Sequence, residues 1–145
     1  RVTIVEGTEA KDEIIDDDRV EIISNKEYEK LDLVEVSTNS LRSANINNKI
    51  IIPINDYIVY KFNMKSTTTF SHEGFTIKFS NMTSRDKVNY KVVVREDGKT
   101  FYKREFYKDV ILRFKANINS SYSVVIYNES DTNLTGNVKI NSYVN

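Results

Sequence analysis

From Tyr57 to Tyr143 apolar and polar residues alternate in run after run, and turn residues interrupt the runs. A period of two is the signature of a strand with one face toward a core and the other toward water. The clearest instance is Lys87 to Phe106, KVNYKVVVREDGKTFYKREF. Val88, Tyr90, Val92 and Val94 fall on one face, and Asn89, Lys91, Val93 and Arg95 on the other. Asp97-Gly98 then breaks the run. This pair suits a tight hairpin turn, because Gly accepts positive φ at no steric cost. The returning run separates Thr100, Tyr102 and Arg104 from Phe101, Lys103 and Glu105. A chain built around such a hairpin is expected to pair its strands antiparallel.

The neighbouring segments repeat the pattern. Lys49 to Ile54 is a β-branched run, and Pro53 places it at an edge or a strand end. Ile58, Tyr60, Phe62 and Met64 share a face, as do Phe75, Ile77 and Phe79. Asn81 to Asp86 reads as a loop. Val110, Leu112, Phe114 and Ala116 alternate next, then Tyr122, Val124 and Ile126, then Val138 and Ile140. About seven strands at this spacing, each with one wet face, predict an all-β fold: an antiparallel two-sheet β-sandwich with little helix. The predicted core is Tyr60, Phe62, Phe75, Ile77, Val92, Val94, Leu112, Phe114, Val124 and Ile126.

The first 48 positions are less regular. Residues 1–48 are read as a partly flexible N-terminal segment able to add edge strands, and residues 49–145 as the sandwich domain. Within the first segment Arg1 to Val5, Arg19 to Ile23 and Leu31 to Val36 read as strands. The last carries a shift of apolar phase between Leu33 and Val34 that fits a bulge. Ser24 to Lys30 suits one helical turn, and Ser37 to Asn48 a polar loop.

Composition removes several classes of function. With 21 basic and 21 acidic residues the formal net charge is zero, without the basic excess of a nucleic-acid binder. No apolar run approaches the roughly 18 residues of a membrane helix, so no membrane insertion is expected. There is no Cys, hence no disulfide or thiolate site. That fits a cytosolic protein and equally one exported by a Gram-positive bacterium. The start at Arg1 instead of Met reads as a mature or trimmed chain with a signal peptide removed.

Ser121 to Asn128, SYSVVIYN, followed by Thr135 to Ile140, TGNVKI, is similar to the closing strands of small jelly-roll modules of bacterial exocellular proteins. The pre-peptidase C-terminal domain is the best-known example. Tyr60-Lys61-Phe62 resembles the Tyr-x-Phe strand that opens that family. The resemblance covers at most residues 56–143. It implies a jelly-roll-like sandwich, a secreted or cell-surface location, and an accessory role beside secreted enzymes or binding domains. The chain departs from the family in having Asn119-Ser120-Ser121 in place of a Gly after the penultimate turn. It also lacks an Asp- and Asn-rich calcium motif on the first strand.

The chemistry-bearing residues are few. His72 is the single histidine, in a turn-like setting, and no Gly-x-Ser-x-Gly elbow occurs. No enzymatic activity is expected. Glu9, Asp12, Glu13, Asp16, Asp17 and Asp18 form the one dense carboxylate cluster. It reads as a solvated lead-in requiring no cofactor. The alternative is a calcium site at Asp16, Asp17 and Asp18, disfavoured because no Gly follows to turn the chain around an ion. Tyr102, Lys103, Arg104, Tyr107 and Tyr127 combine aromatic faces with basic groups, suited to a protein or glycan at the cell exterior. Absence of Trp weighs against the glycan. The expected function is a non-catalytic accessory or adhesion module, the alternative a structural spacer with no ligand of its own.

Overall fold

The computed structural model describes residues 14–37, 43–44, 46–64 and 73–144. The expected Arg1–Val5 strand, the acidic residues Glu9, Asp12 and Glu13, and His72 lie outside them. The chain forms two packed antiparallel sheets, as the alternation predicts. In the first sheet β1 (Val20–Ile22), β10 (Val110–Lys115), β7 (Gly74–Ser84) and β12 (Leu134–Val144) lie side by side. The far edge of β12 is shared by β5 (Ile46–Ile52) and β2 (Asp32–Val34). The second sheet runs β4 (Ser43–Ala44), β3 (Val36–Ser37), β6 (Tyr57–Asn63), β11 (Ser121–Asn128), β8 (Tyr90–Glu96) and β9 (Lys99–Phe106). From β5 onward every connection crosses between sheets except the β8–β9 hairpin.

That hairpin has Asp97 at φ 50° and Gly98 at φ 84°, the positive values a two-residue primed turn requires. Its register shifts after Val94, which pairs with Tyr102, whereas Arg95 pairs with Thr100. Phe101 is the extra residue. Strict alternation would put Phe101 and Tyr102 on opposite faces, but the bulge lets the core bury both.

The core is aromatic at its centre. Phe75 stacks on Phe114 at 4.6 Å between centroids, and Phe62 meets Phe75 edge-on at 5.0 Å. Phe101 and Tyr102 present their edges to Phe114. Each such ring contributes roughly 1.5–3 kcal/mol by leaving water, and the ring pairs add to this. Every predicted core residue is buried except Tyr60. Tyr60 is half-buried at the sheet edge, where its hydroxyl accepts from Asn48 Nδ2 at 3.4 Å. On the outer face of the first sheet, Ile23, Tyr28 and Ile111 make a second cluster beneath α1 (Asn25–Glu29). Ser24 starts this helix with a reciprocal capping box to Glu27, the Ser-x-x-Glu pattern of a helix entry.

Several segments depart from expectation. The phase shift after Leu33 is a change of sheet: β2 pairs with β12, and β3, beyond Glu35, joins the second sheet. Ile46 to Asn48, read as loop, opens β5, and the boundary drawn at 48/49 falls inside that strand. The expected Asn81–Asp86 loop is a strand as far as Ser84. Asp109 accepts the amides of Asn81 and Met82 there, and holds Asn81 at φ 55°. Opposite, β12 is irregular between Thr135 and Asn137. Gly136 makes room, since a Cβ on it would lie 2.3 Å from Met82 Sδ.

Candidate functional site

The acidic segment, expected to be a solvated lead-in, is tied to the sandwich from Ile15 onward. The Ile15 amide donates to the Lys103 carbonyl at 3.0 Å, and the Lys103 amide returns a bond to Ile15 at 2.8 Å. Four residues on, the Lys115 amide donates to the Arg19 carbonyl. Residues 15–19 therefore strap β9 of one sheet to β10 of the other. The Arg19 guanidinium lies 4.4 Å from the Phe101 ring centroid and bonds both Asp17 and Glu96. Its hydrogen bond holds the Asp17 carboxyl below the usual range, and Asp17 in turn raises the guanidinium. Both Asp17 oxygens are used by Arg19. Among the described residues no group of three His, Cys, Asp or Glu side chains is placed to hold a metal ion.

Beside this strap lies a groove of about 800 Å³. One wall is the end of β1 and the start of α1 (Ile22 to Asn25). The other is Arg104 to Asp109, where β9 passes into β10. Exposed Ile22 and half-buried Val110 supply apolar surface to it, over buried Ile23, Phe106 and Ile111. The charged groups around it are partly committed. Lys78 Nζ sits 4.8 Å from the Tyr28 ring centroid, and Asp109 is occupied by the β7 amides. Arg104 lies 5.8 Å from the Phe106 ring centroid. Lys108 and Tyr107 are exposed, with Lys87 Nζ 5.6 Å from the Tyr107 ring. Such a concavity, apolar with a few convergent polar groups, is where a ligand site is expected.

The structure divides the sequence-predicted binding residues. Arg104 and Tyr107 come together in the groove. Lys103 is held by the strap. Tyr127 lies away from them, packed on Tyr57 at 5.4 Å and capped by Lys91 Nζ at 4.7 Å. Tyr102 is a core residue, 1% exposed, and contacts no ligand from there. Burial pushes its phenol up to about 12; the Arg104 charge pulls the other way and the Asp16 charge adds to the rise. Its hydroxyl makes no well-formed hydrogen bond. The apolar lining from Ile22 and Val110 does not stand out in the sequence. The hydrophobic pattern marks such residues as core, and only the spacing between the walls leaves them at a cavity.

Asn128, the last residue of β11, carries no mark of its role in the alternation. It is buried, and its Nδ2 donates to the carbonyls of Ile52, Pro53 and Thr132, while Oδ1 accepts the Ser130 amide. This side chain fixes the β11–β12 loop against the end of β5. Comparison with protein-family models, curated proteins and solved structures returned no match.

Proposed function

We propose that this chain is a non-catalytic binding module of a secreted or cell-surface bacterial protein, and that the groove between β1 and the β9–β10 connection takes a segment of a protein ligand. The observation carrying this reading is the groove itself: an apolar lining beside a rim that offers Arg104, Tyr107 and Lys108. An apolar side chain of the ligand would occupy the lining, and a neighbouring carboxylate or carbonyl would meet Arg104 or Lys108. The likeness of the closing strands to jelly-roll accessory modules supports the exterior location. The absence of Trp favours a protein over a sugar ligand.

A panel of immobilised matrix proteins and glycans, probed with the full chain, tests the proposal. Binding to a protein on the panel is expected, with Arg104→Ala and Tyr107→Ala each weakening it about tenfold, near 1.4 kcal/mol. Binding indifferent to both substitutions would move the site elsewhere. Silence across the panel would favour a structural spacer.

A further inference from the structure

Among the described residues, the edge of β6 that faces away from β11 has a single paired position. Among the described residues the strand on that side is β3, and it meets β6 only at Asn63, through Ser37. The Asn128 amide donates to the Asp56 carbonyl, in register with the β6–β11 ladder. Antiparallel pairs alternate, so Ile58, Tyr60 and Phe62 direct their backbone groups at β11. Tyr57, Val59 and Lys61 direct theirs away from β11, where no described residue pairs with them. The Tyr57 amide is covered locally by the Asp56 carboxylate at 2.8 Å. Natural sheets guard such edges with charges, prolines or very short strands. Here Lys61 is the only charge within Tyr57–Asn63, and no proline occurs there. The opposite edge of the same sheet, by contrast, is met by the strap at Lys103. Large apolar side chains are also exposed on this flank: Tyr57 and Val59 on β6, with Ile51 and Ile54 at and beyond the end of β5.

We infer that this edge pairs with the same edge of a second copy of the chain, joining two sandwiches through a continuous sheet. The edge is self-complementary. An antiparallel arrangement centred on Val59 sets Val59 against its own copy and Tyr57 against Lys61 of the other chain. In that register the two Val59 residues exchange amide–carbonyl bonds, and the Lys61 amide of each chain meets the Tyr57 carbonyl of the other. Each Lys61 ammonium comes beside a Tyr57 ring, a cation–π pair made twice by the symmetry. Ile58 faces Tyr60 on the inner side, extending the core across the junction. A net charge of zero leaves no long-range repulsion to oppose association.

Sedimentation velocity of the full chain, with charge swaps at the self-opposed position, tests this. The natural chain is expected to dimerise with concentration. Val59→Glu and Val59→Lys each place like charges against each other, and each alone should weaken the dimer at least about tenfold, while an equimolar mixture should recover it. Val59 is exposed, so both variants should fold, and circular dichroism checks that they do. Recovery in the mixture places Val59 opposite Val59. A natural chain that stays monomeric at every concentration overturns the inference, as does a dimer that both substitutions leave intact.

Discussion

Tyr122 donates its hydroxyl hydrogen to Glu96 Oε2 at 2.5 Å and accepts the Asn117 amide at 2.7 Å. The two side chains come from directly opposed positions of β11 and β8. A carboxylate at the rim of an aromatic core would cost stability if left without partners. Glu96 is offset by the Tyr122 hydroxyl on one side and by Arg19 on the other. The strap and the core therefore meet at one hydrogen-bonded group. Tyr122→Phe keeps the ring and removes both bonds. We predict a loss of about 1.5–3 kcal/mol, the range for a bond to a charged partner, read from urea unfolding.

Phe114 is fully buried against Phe75, Phe101 and Tyr102. Phe114→Ala should cost about 3–5 kcal/mol, because the surrounding sheets cannot collapse into the space. A change within about 0.5 kcal/mol would contradict the packing described.

Two glycines should respond differently to alanine. At Gly74 a Cβ would lie 1.8 Å from the Phe114 carbonyl oxygen, a backbone atom of a paired strand. Gly98 has open space but φ of 84°. Gly98→Ala is expected to lose roughly 1–2 kcal/mol through its left-handed backbone. Gly74→Ala should lose more, since β7 and β10 must separate. Thermal melts of the two variants give the order.

Tyr102→Phe removes a buried hydroxyl that makes no well-formed hydrogen bond, with only the Arg104 side chain near it. Unlike Tyr122→Phe, it should leave stability unchanged or raise it by about 1 kcal/mol. The same variant should leave ligand binding intact, because the ring lies in the core. A clear loss of binding would return Tyr102 to the site.

The strap should respond to acid. Asp17 titrates below its ordinary 3.8 when folded, chiefly through the Arg19 hydrogen bond. Its contribution is therefore complete above that value and is lost as pH falls through the folded pKa. Hydrogen exchange at the Ile15 and Lys103 amides should accelerate there, and Asp17→Asn should remove the pH-dependent part. At the alkaline end the sign reverses. Burial raises the Tyr90, Tyr102 and Tyr122 phenols. Their stabilising contribution is complete below the ordinary value of 10 and declines as pH rises beyond it. Melting temperatures across pH 8 to pH 12 should fall past about pH 10.

The sequence by itself determined the strands, the turn at Asp97-Gly98, the cap at Ser24 and most of the core. Each is a local matter: period-two alternation, a positive φ or a short-range bond decides it within a few residues. Tertiary structure decided what depends on a partner far along the chain. Asn81 and Met82 are strand residues because Asp109 receives their amides and Gly136 admits the Met82 side chain. Phe101 turns inward because the register of β9 against β8 slips by one residue. Leu33 and Val36 belong to different sheets because β12 and β6 stand there to receive them. The candidate site divides in the same way. Arg104 and Tyr107 were legible as an aromatic and basic pair, while Ile22 and Val110 carry no mark distinguishing a groove lining from a core. Alternation tells which side of a strand is apolar; how far away the opposing wall stands is fixed only when distant strands pack.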